Sequence, residues 1–175
     1  MKQTKTKYGK MKQIVSNLKL PDYRYEQLIK AIFHQRIDNF DDMHILPKAL
    51  RMSLVNEFGK NVSSVTPIFS QDSKQAQKLL FELTDGERIE AVGLKYKQGW
   101  ESFCISCQCG CGFGCRFCAT GSVGFKRNLT ADEITDQLLY FYFNDHRLNS
   151  ISFMGMGEAF ANPELFDAVK ILTDQ

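Results

Sequence analysis

The chain has 175 residues, of which 43% are apolar, and its net charge is only +2. This length fits one ordinary domain, or a small domain and part of a larger one. No segment approaches the roughly 20 apolar residues that cross a bilayer, and no apolar run follows the amino-terminal lysines as in a signal peptide. We therefore expect a protein of the reducing cytoplasm that has no membrane contact.

The charge is unevenly distributed along the chain. Residues 1–60 contain 12 Lys and Arg against 6 Asp and Glu, whereas residues 61–175 contain 10 against 14. A basic segment favours a polyanionic partner such as nucleic acid. The alternative is a solvated tail, and its lysines would be Lys2, Lys5, Lys7, Lys10, Lys12 and Lys19.

The first part of the chain is predicted to be helical. Apolar residues between positions 25 and 33 recur at helical spacing and form one stripe: Tyr25, Leu28, Ile29, Ile32 and Phe33. A second helix is predicted from Pro47, a favourable first-turn residue, to Phe58, with Gly59 as its end. We therefore predict that residues 1–75 form a small helical domain.

The periodicity changes after residue 75. Residues 78–84 and 87–96 have the pattern of strands, and Asp85-Gly86 between them is a strong signal for a hairpin turn. We assign residues 76–100 to a β-hairpin extension. A third strand, residues 100–106, leads into a short window, residues 104–118, that contains all six cysteines.

The last part of the chain alternates strands and helices. Thr130 and Glu133 form the pattern of a capping box, which opens a helix that ends near Phe143. Residues 150–156 are strand-like, and Asn162-Pro163 begins another helix. This order is typical of a parallel α/β architecture, but two parallel strands do not complete a sheet that is buried on both faces. Residues 101–175 are therefore predicted to be the incomplete start of a larger domain.

Three of the six cysteines have the spacing of an iron–sulfur site with an open position. Cys111, Cys115 and Cys118 follow the pattern C-x3-C-x2-C, and the glycines around them let the loop fold tightly. Ordinary [4Fe–4S] clusters have four cysteine ligands, so three ligands leave one iron open, as in catalytic metal sites. An open iron can bind the amino and carboxylate groups of S-adenosylmethionine (SAM), whose radical chemistry belongs to the cofactor.

Structural zinc is the alternative for the same window. Cys104 with Cys107, and Cys115 with Cys118, supply two C-x2-C pairs. Only seven residues separate these pairs, against about 15–20 in common zinc modules. Zinc also leaves the glycines and a second motif unexplained, so we favour the iron–sulfur cluster, with a zinc-stabilised RNA-binding module as the competing hypothesis.

The second motif lies where the strand at residues 150–156 ends, and it contains Gly155, Gly157 and Glu158. Successive parallel strands end on the same rim, where the active sites of α/β barrels assemble. We therefore expect this turn to face the cysteine loop. The glycines would let the backbone approach SAM, and Glu158 would pair with its ammonium group. Taken alone, such a turn is a weak signal, and a plain strand-to-helix connection is its alternative.

At residues 111–118, 128–137 and 150–159, the chain resembles the Cfr/RlmN family of radical SAM ribosomal RNA methyltransferases, and the similarity covers essentially its whole length. The resemblance implies an α/β fold, in which an amino-terminal helical RNA-binding domain precedes the first part of a radical SAM partial (β/α) barrel. It also implies two cofactors. A [4Fe–4S] cluster would be bound by Cys111, Cys115 and Cys118, and SAM by Gly155, Gly157, Glu158 and Ala159.

The family mechanism implies roles for two further residues. In this mechanism one SAM methylates a carboxy-terminal cysteine, and a second SAM yields a radical that takes hydrogen from this methyl group before it adds to an adenine. Cys104 matches the cysteine that resolves the protein–RNA crosslink, and Glu90 is the candidate proton acceptor or RNA-positioning group. A buried strand cysteine and an exposed strand carboxylate are their alternatives, since geometry decides a general base. The methyl-carrying cysteine has no match, so we expect these 175 residues alone not to complete methyl transfer.

The substrate implied by the resemblance is one adenine in the peptidyl-transferase centre of 23S rRNA. Some family members also act on tRNA, and all need an external electron donor; a disulfide bond is a further expected feature, and we expect a monomer. Ala159, where most RlmN-like members have proline, and Cys109 favour C8 methylation, which confers antibiotic resistance, over C2. Cys107 stands where relatives have serine. Another radical SAM reaction on a small substrate and a nonfunctional partial gene product are further alternatives.

Overall fold

The computed structural model describes residues 5–173, so Lys2 lies outside the described residues. The chain divides into two compact units, Met1–Ser63 and Ser64–Gln175. The predicted helical range 1–75 extends beyond this division. In the part of the chain that the structure describes, no helix has the length and apolar character needed to cross a membrane.

Among its described residues, the first unit contains three α-helices, which are α1 (Lys7–Asn17), α2 (Tyr23–Phe33) and α3 (Lys48–Phe58), and a 3-10 turn at Phe40–Asp42. The predicted apolar stripe lies on α2, where Leu28 and Ile32 are fully buried. Pro47 directly precedes α3, and Gly59 ends it with a φ of +85°, a backbone conformation that favours glycine. Both predicted helices of this unit are therefore confirmed.

The amino-terminal lysines are not all part of a solvated tail. Thr6 caps α1, because its hydroxyl accepts a hydrogen bond from the N–H of Gly9. Lys7 is buried in the first unit, and its ammonium group donates to the carbonyl oxygen of Val62 at 3.1 Å. Lys7, Lys10 and Lys12 therefore lie on α1.

The second unit contains seven strands and three helices among its described residues. The strands are β1 (Thr66–Asp72), β2 (Ala76–Glu82), β3 (Arg88–Lys95), β4 (Glu101–Cys104), β5 (Gln108–Gly110), β6 (Phe125–Asn128) and β7 (Ser150–Ser152). The helices are α4 (Ala119–Val123), α5 (Ala131–Phe143) and α6 (Leu165–Thr173). β1, β2, β3, β4 and β7 form one sheet in that order, and β5 pairs with β6. The mixed α/β fold class is confirmed.

The main sheet buries one of its two faces beneath α5. Phe103 of β4 is fully buried, and its ring lies 4.7 Å from that of Phe141 on α5. Ile89 and Ala91 of β3 join the same core. Side chains alternate along a strand. Glu90, which lies between Ile89 and Ala91, therefore points to the opposite face, which α5 does not cover.

The predicted parallel pairing is confirmed by β4 and β7. Ser102 pairs with Ser150 and Cys104 with Ser152, and α5 lies between the two strands in the sequence. The capping box that opens α5 is also confirmed: the hydroxyl of Thr130 accepts from the N–H of Glu133, whose carboxylate accepts from the N–H of Thr130. The carboxyl ends of β4 and β7 therefore lie at the same edge of the sheet.

Several predicted boundaries differ from the structure. β1 lies inside the range 1–75 that was predicted to be helical; all its residues are exposed, so no buried periodicity marked it as a strand. β4 and β7 end at Cys104 and Ser152, before the predicted ends at residues 106 and 156. Beyond these ends, residues 106–108 form hydrogen bonds with residues 156–158 instead of continuing the sheet. α6 begins at Leu165, after a 3-10 turn at Ala159–Ala161.

Candidate functional site

The two predicted motifs meet through hydrogen bonds between residues 106–108 and 156–158. The N–H of Met156 donates to the hydroxyl of Ser106 at 2.8 Å, and the carbonyl oxygen of Met156 accepts from the N–H groups of Cys107 and Gln108 at 2.9 and 3.1 Å. The N–H of Glu158 donates to the side-chain oxygen of Gln108 at 3.0 Å. These four bonds join the segment that enters the cysteine loop to the Gly-Met-Gly-Glu turn.

Two glycines of the turn permit this close approach. A Cβ on Gly155 would lie 2.7 Å from the carbonyl carbon of Ile105 and from the hydroxyl of Ser106. A Cβ on Gly157, which has a φ of +101°, would lie 2.5 Å from the Cβ of Gln108. Real Cβ atoms do not approach other atoms so closely, because interiors are already close-packed. Glycine is therefore required at both positions.

Buried amide side chains, which the sequence did not single out, support the same segment. The side-chain oxygen of Gln137 on α5 accepts from the N–H of Ser106 at 2.9 Å, and its nitrogen donates to the Ser106 carbonyl at 2.9 Å. The amide nitrogen of Asn162 donates to the carbonyl oxygens of Cys107 and Leu129 at 2.6 and 2.8 Å. The sequence predicted Asn162 only as a helix start.

The three predicted cluster cysteines lie on one exposed loop. Cys111 is buried where the loop begins, Cys115 is exposed, and Cys118 is half-buried just before α4. Among residues 5–173, no group of three or more His, Cys, Asp or Glu side chains is close enough together to hold a metal ion. The structure therefore places the three thiols on the same loop but does not bring them to one centre. None of the six cysteines, all within the described range, forms a disulfide.

The pKa of Cys118 is shifted in the opposite direction from the pKa values of Cys107 and Cys109. The N–H of Gly121, followed by the N–H and hydroxyl of Thr120, bonds to the sulfur of Cys118 and lowers the pKa of this thiol. Burial raises the pKa of Cys107 and of Cys109 to about 11 each. Because the thiolate is the metal ligand, the direction of the shift favours the metal-binding form at Cys118 and the protonated thiol at Cys107 and Cys109. This donor set fits a cluster held at residues 111–118.

Glu90 and Cys104 lie on the same face of the sheet. Each alternates with residues buried beneath α5, so both point to the opposite face, and Cys104 pairs with Val92, two residues from Glu90 on β3. The carboxylate of Glu90 pairs with the ammonium group of Lys78 on β2 at 2.8 Å. Both of these side chains are nearly half exposed, so they are accessible to a ligand.

An open cavity of about 490 Å³ lies beside this face. Its walls combine Glu90 of β3, Gly110 of β5, Thr120 of α4, Lys126 of β6 and Met156 of the second motif. The cavity therefore borders one predicted catalytic residue, the cysteine loop and the turn at residues 155–158. A cavity of this size falls within the range of small-molecule and nucleotide sites, about 300–1,000 Å³.

A charged network anchors the hairpin that flanks the cysteine loop. The guanidinium of Arg127 on β6 donates two bonds of 2.8 Å to the carboxylate of Glu133 and one of 2.7 Å to that of Asp85. The hydrogen bond from Arg127 lowers the pKa of Asp85, and the bonds to Glu133 raise the pKa of Arg127. This network therefore joins β6, which follows the cysteine loop, to Asp85 and to the first turn of α5.

Comparison with known proteins agrees with the resemblance. Residues 5–58 match the family model described as the ribosomal RNA large subunit methyltransferase N-terminal domain. Over all 175 residues the chain is 97% identical to the ribosomal RNA large subunit methyltransferase Cfr of Clostridium botulinum (strain Langeland). The chain is therefore similar over its whole length to about half of a Cfr methyltransferase. Within the Cfr group, it is 56% identical over 170 residues to the protein named Cfr in Staphylococcus aureus.

The chain is also similar to a solved structure. A radical SAM methyltransferase from Sphaerobacter thermophilus matches 95% of this chain with a TM-score of 0.85 and 33% identity, and the match covers 50% of that protein. The chain likewise spans about half the length of the curated Cfr relatives that it matches, 51% for the Langeland protein.

Proposed function

We propose that this chain takes part in SAM-dependent radical methylation of an adenine in 23S rRNA. The observation that carries the proposal is the set of four hydrogen bonds between residues 106–108 and 156–158. Through them, the cysteine loop and the Gly-Met-Gly-Glu turn lie at the same edge of the sheet. The names of the Cfr relatives and of the Sphaerobacter methyltransferase support the same reaction class.

In this proposal Cys111, Cys115 and Cys118 would each bind one iron of a [4Fe–4S] cluster and leave the fourth iron open. When bound there, the cluster would supply the electron for reductive cleavage of SAM, with an external donor as the source of that electron. The support is the donor set itself: three cysteines on one loop, of which Cys118 has a lowered pKa. Residues 112–117 are exposed, so the loop is accessible to a cluster.

SAM would bind beside the cluster at Gly155, Gly157, Glu158 and Ala159. The side chain of Glu158 is exposed, so its carboxylate is free to meet an ammonium group. The glycines at positions 155 and 157 keep the turn against residues 105–108. The role of the turn is therefore to hold the methionine end of SAM at a fixed distance from the cysteine loop.

Glu90 and Cys104 would act on the RNA. Both point to the face of the sheet that α5 leaves open, and Glu90 also borders the 490 Å³ cavity. In this position Glu90 would accept a proton or position the adenine, and Cys104 would resolve the protein–RNA crosslink. Lys78, which contacts Glu90 at 2.8 Å, would hold the carboxylate in place.

The helical unit would bind RNA through its basic residues, and 23S rRNA, with tRNA as a second substrate, is the proposed partner. Ala159 and Cys109 favour C8 over C2 as the methylated atom, and C8 methylation would confer antibiotic resistance. We propose that the reaction takes place in the cytoplasm and that the protein is a monomer. RNA binding of this kind would weaken steeply with salt, because each phosphate contact releases counterions.

The decisive experiment is anaerobic reconstitution with iron and sulfide. We expect a brown protein that absorbs at about 400 nm. We also expect SAM binding that saturates in equilibrium dialysis. Cys115→Ala should abolish the colour, whereas the matched control Cys107→Ser, which changes a buried cysteine of the same segment, should retain it. A colourless protein that holds one zinc ion and ignores SAM would replace this proposal with the zinc-stabilised RNA-binding module.

A further inference from the structure

Gln108, which was not predicted from the sequence, connects the cysteine loop to the Gly-Met-Gly-Glu turn through its side chain. It is the first residue of β5, and only 3% of its surface is exposed. Its side-chain oxygen accepts from the N–H of Glu158 at 3.0 Å, and its nitrogen donates to the side-chain oxygen of Asn128 at 2.7 Å. The amide is thus fixed at both ends, by β6 and by the turn.

The stem of the same side chain also fills the space beside Gly157. A Cβ on Gly157 would lie 2.5 Å from the Cβ and 2.6 Å from the Cγ of Gln108. Gln108 therefore limits the turn in two independent ways. Its stem packs against the Cα of Gly157, and its amide oxygen fixes the direction of the next N–H group, that of Glu158.

We propose that Gln108 is a positioning residue that aligns Glu158 for the ammonium group of SAM. The inference rests on the proposed function, because it assigns a partner to the SAM-binding turn. Gln108 reaches Glu158 through the backbone N–H, so it acts on the orientation of the carboxylate without occupying the place of the ligand. In metal sites, losing an outer partner that orients a ligand residue costs about 10- to 100-fold in affinity, and we expect a loss of the same order here.

Two substitutions separate the hydrogen bond from the packing. Gln108→Met keeps an unbranched side chain of similar length beside Gly157 but removes the amide. Gln108→Glu keeps an oxygen that accepts from Glu158, and the Asn128 amide can rotate to donate to the new carboxylate. Leu138→Ala, which removes a buried apolar side chain of α5 but none of the hydrogen bonds between the two motifs, is the control for a general loss of stability.

The first measurement is amide-resolved hydrogen exchange on the chain without cofactors. Gln108→Met should speed exchange at the N–H of Glu158 at least tenfold relative to Leu138→Ala, whereas Gln108→Glu should keep it slow. Equal exchange at Glu158 in Gln108→Met and in the unsubstituted chain would overturn the inference. If Gln108→Met does not fold, Gln108→Glu carries the test, and rapid exchange in this variant overturns the inference.

The second measurement is the Kd for SAM, by equilibrium dialysis on the anaerobically reconstituted chain. We expect Gln108→Met to raise the Kd about 10- to 100-fold, and Leu138→Ala to leave it within about twofold. If the unsubstituted chain binds SAM and Gln108→Met binds it equally well, the inference fails and the proposed function stands. If the unsubstituted chain itself does not bind SAM, the proposed function fails, and the role assigned to Gln108 fails with it.

Discussion

The hydroxyl of Ser106 accepts a hydrogen bond of 2.8 Å from the N–H of Met156, fifty residues away, and donates one of 2.6 Å to the carbonyl oxygen of Glu90. Ser106 is fully buried. A single hydroxyl therefore ties the turn after β7 to β3, the strand that carries a predicted catalytic residue. The packing of the site depends on this bridge.

Ser106→Ala should lower the free energy of unfolding by about 1–3 kcal/mol, because two partly buried backbone groups lose their partner. Urea unfolding followed by circular dichroism measures the change. The control is Ser122→Ala, which removes an exposed hydroxyl bonded to the carbonyl of Ala119 and should change the free energy by less than about 0.5 kcal/mol. Equal losses in the two variants would contradict the bridging role of Ser106.

Gly157→Ala should destabilise the chain more than Gly99→Ala does. Both glycines have positive φ, +101° and +78°, but an added Cβ would have other atoms within 4 Å only at Gly157. The backbone cost at Gly99 is about 1–2 kcal/mol, and the collision with Gln108 should add about 1–3 kcal/mol at Gly157. Thermal melting of the two variants measures the difference, and indistinguishable midpoints would refute it.

Arg127→Met should lower the free energy of unfolding by about 1–2 kcal/mol, because it breaks a partly buried network with Glu133 and Asp85. Arg127→Lys should recover little of the loss, since an ammonium group cannot form two parallel bonds to one carboxylate. The control is Arg88→Met, whose exposed pair with Glu82 is 3.5 Å long. The prediction fails if urea unfolding shows the same small change at both arginines.

The same network should affect stability in acid. Arg127 lowers the pKa of Asp85 in the folded chain, so this contribution is present above the ordinary pKa and is lost as the pH falls through the lower folded value. We expect the difference in melting temperature between the unsubstituted chain and Asp85→Asn to shrink as the pH falls below about 4. A difference that stays constant over this range would exclude the pair as its cause.

Cys107 should make the chain sensitive to alkali. Burial raises the pKa of its thiol from 9.0 to about 11, so its stabilising effect is complete below pH 9 and is lost as the pH rises towards 11. Cys107→Ser should therefore lose less stability than the unsubstituted chain between these values. Cys118→Ser should not reduce the alkaline loss, because the pKa of Cys118 is shifted downward. Melting temperatures across this pH range test the sign.

The sequence predicted the features that depend on neighbouring residues. The start of α5 follows from Thr130 and Glu133, which bond to each other's backbone N–H groups within one turn. The end of α3 follows from the left-handed conformation of Gly59. The parallel pairing of β4 with β7 also follows, because a strand, a helix and a second strand in succession return to the same sheet. The sequence therefore determined that the two motifs share one edge.

Only the tertiary structure decided which atoms join the motifs. The long-range partners of Ser106, Gln108 and Asn162 lie between 16 and 55 residues away, and no local pattern of apolar or capping residues marks such pairs. β1 was missed for a related reason: its exposed residues are held by backbone bonds to β2. Long-range hydrogen bonds depend on how the chain has already packed, so they are specified by the fold as a whole and not by any short segment.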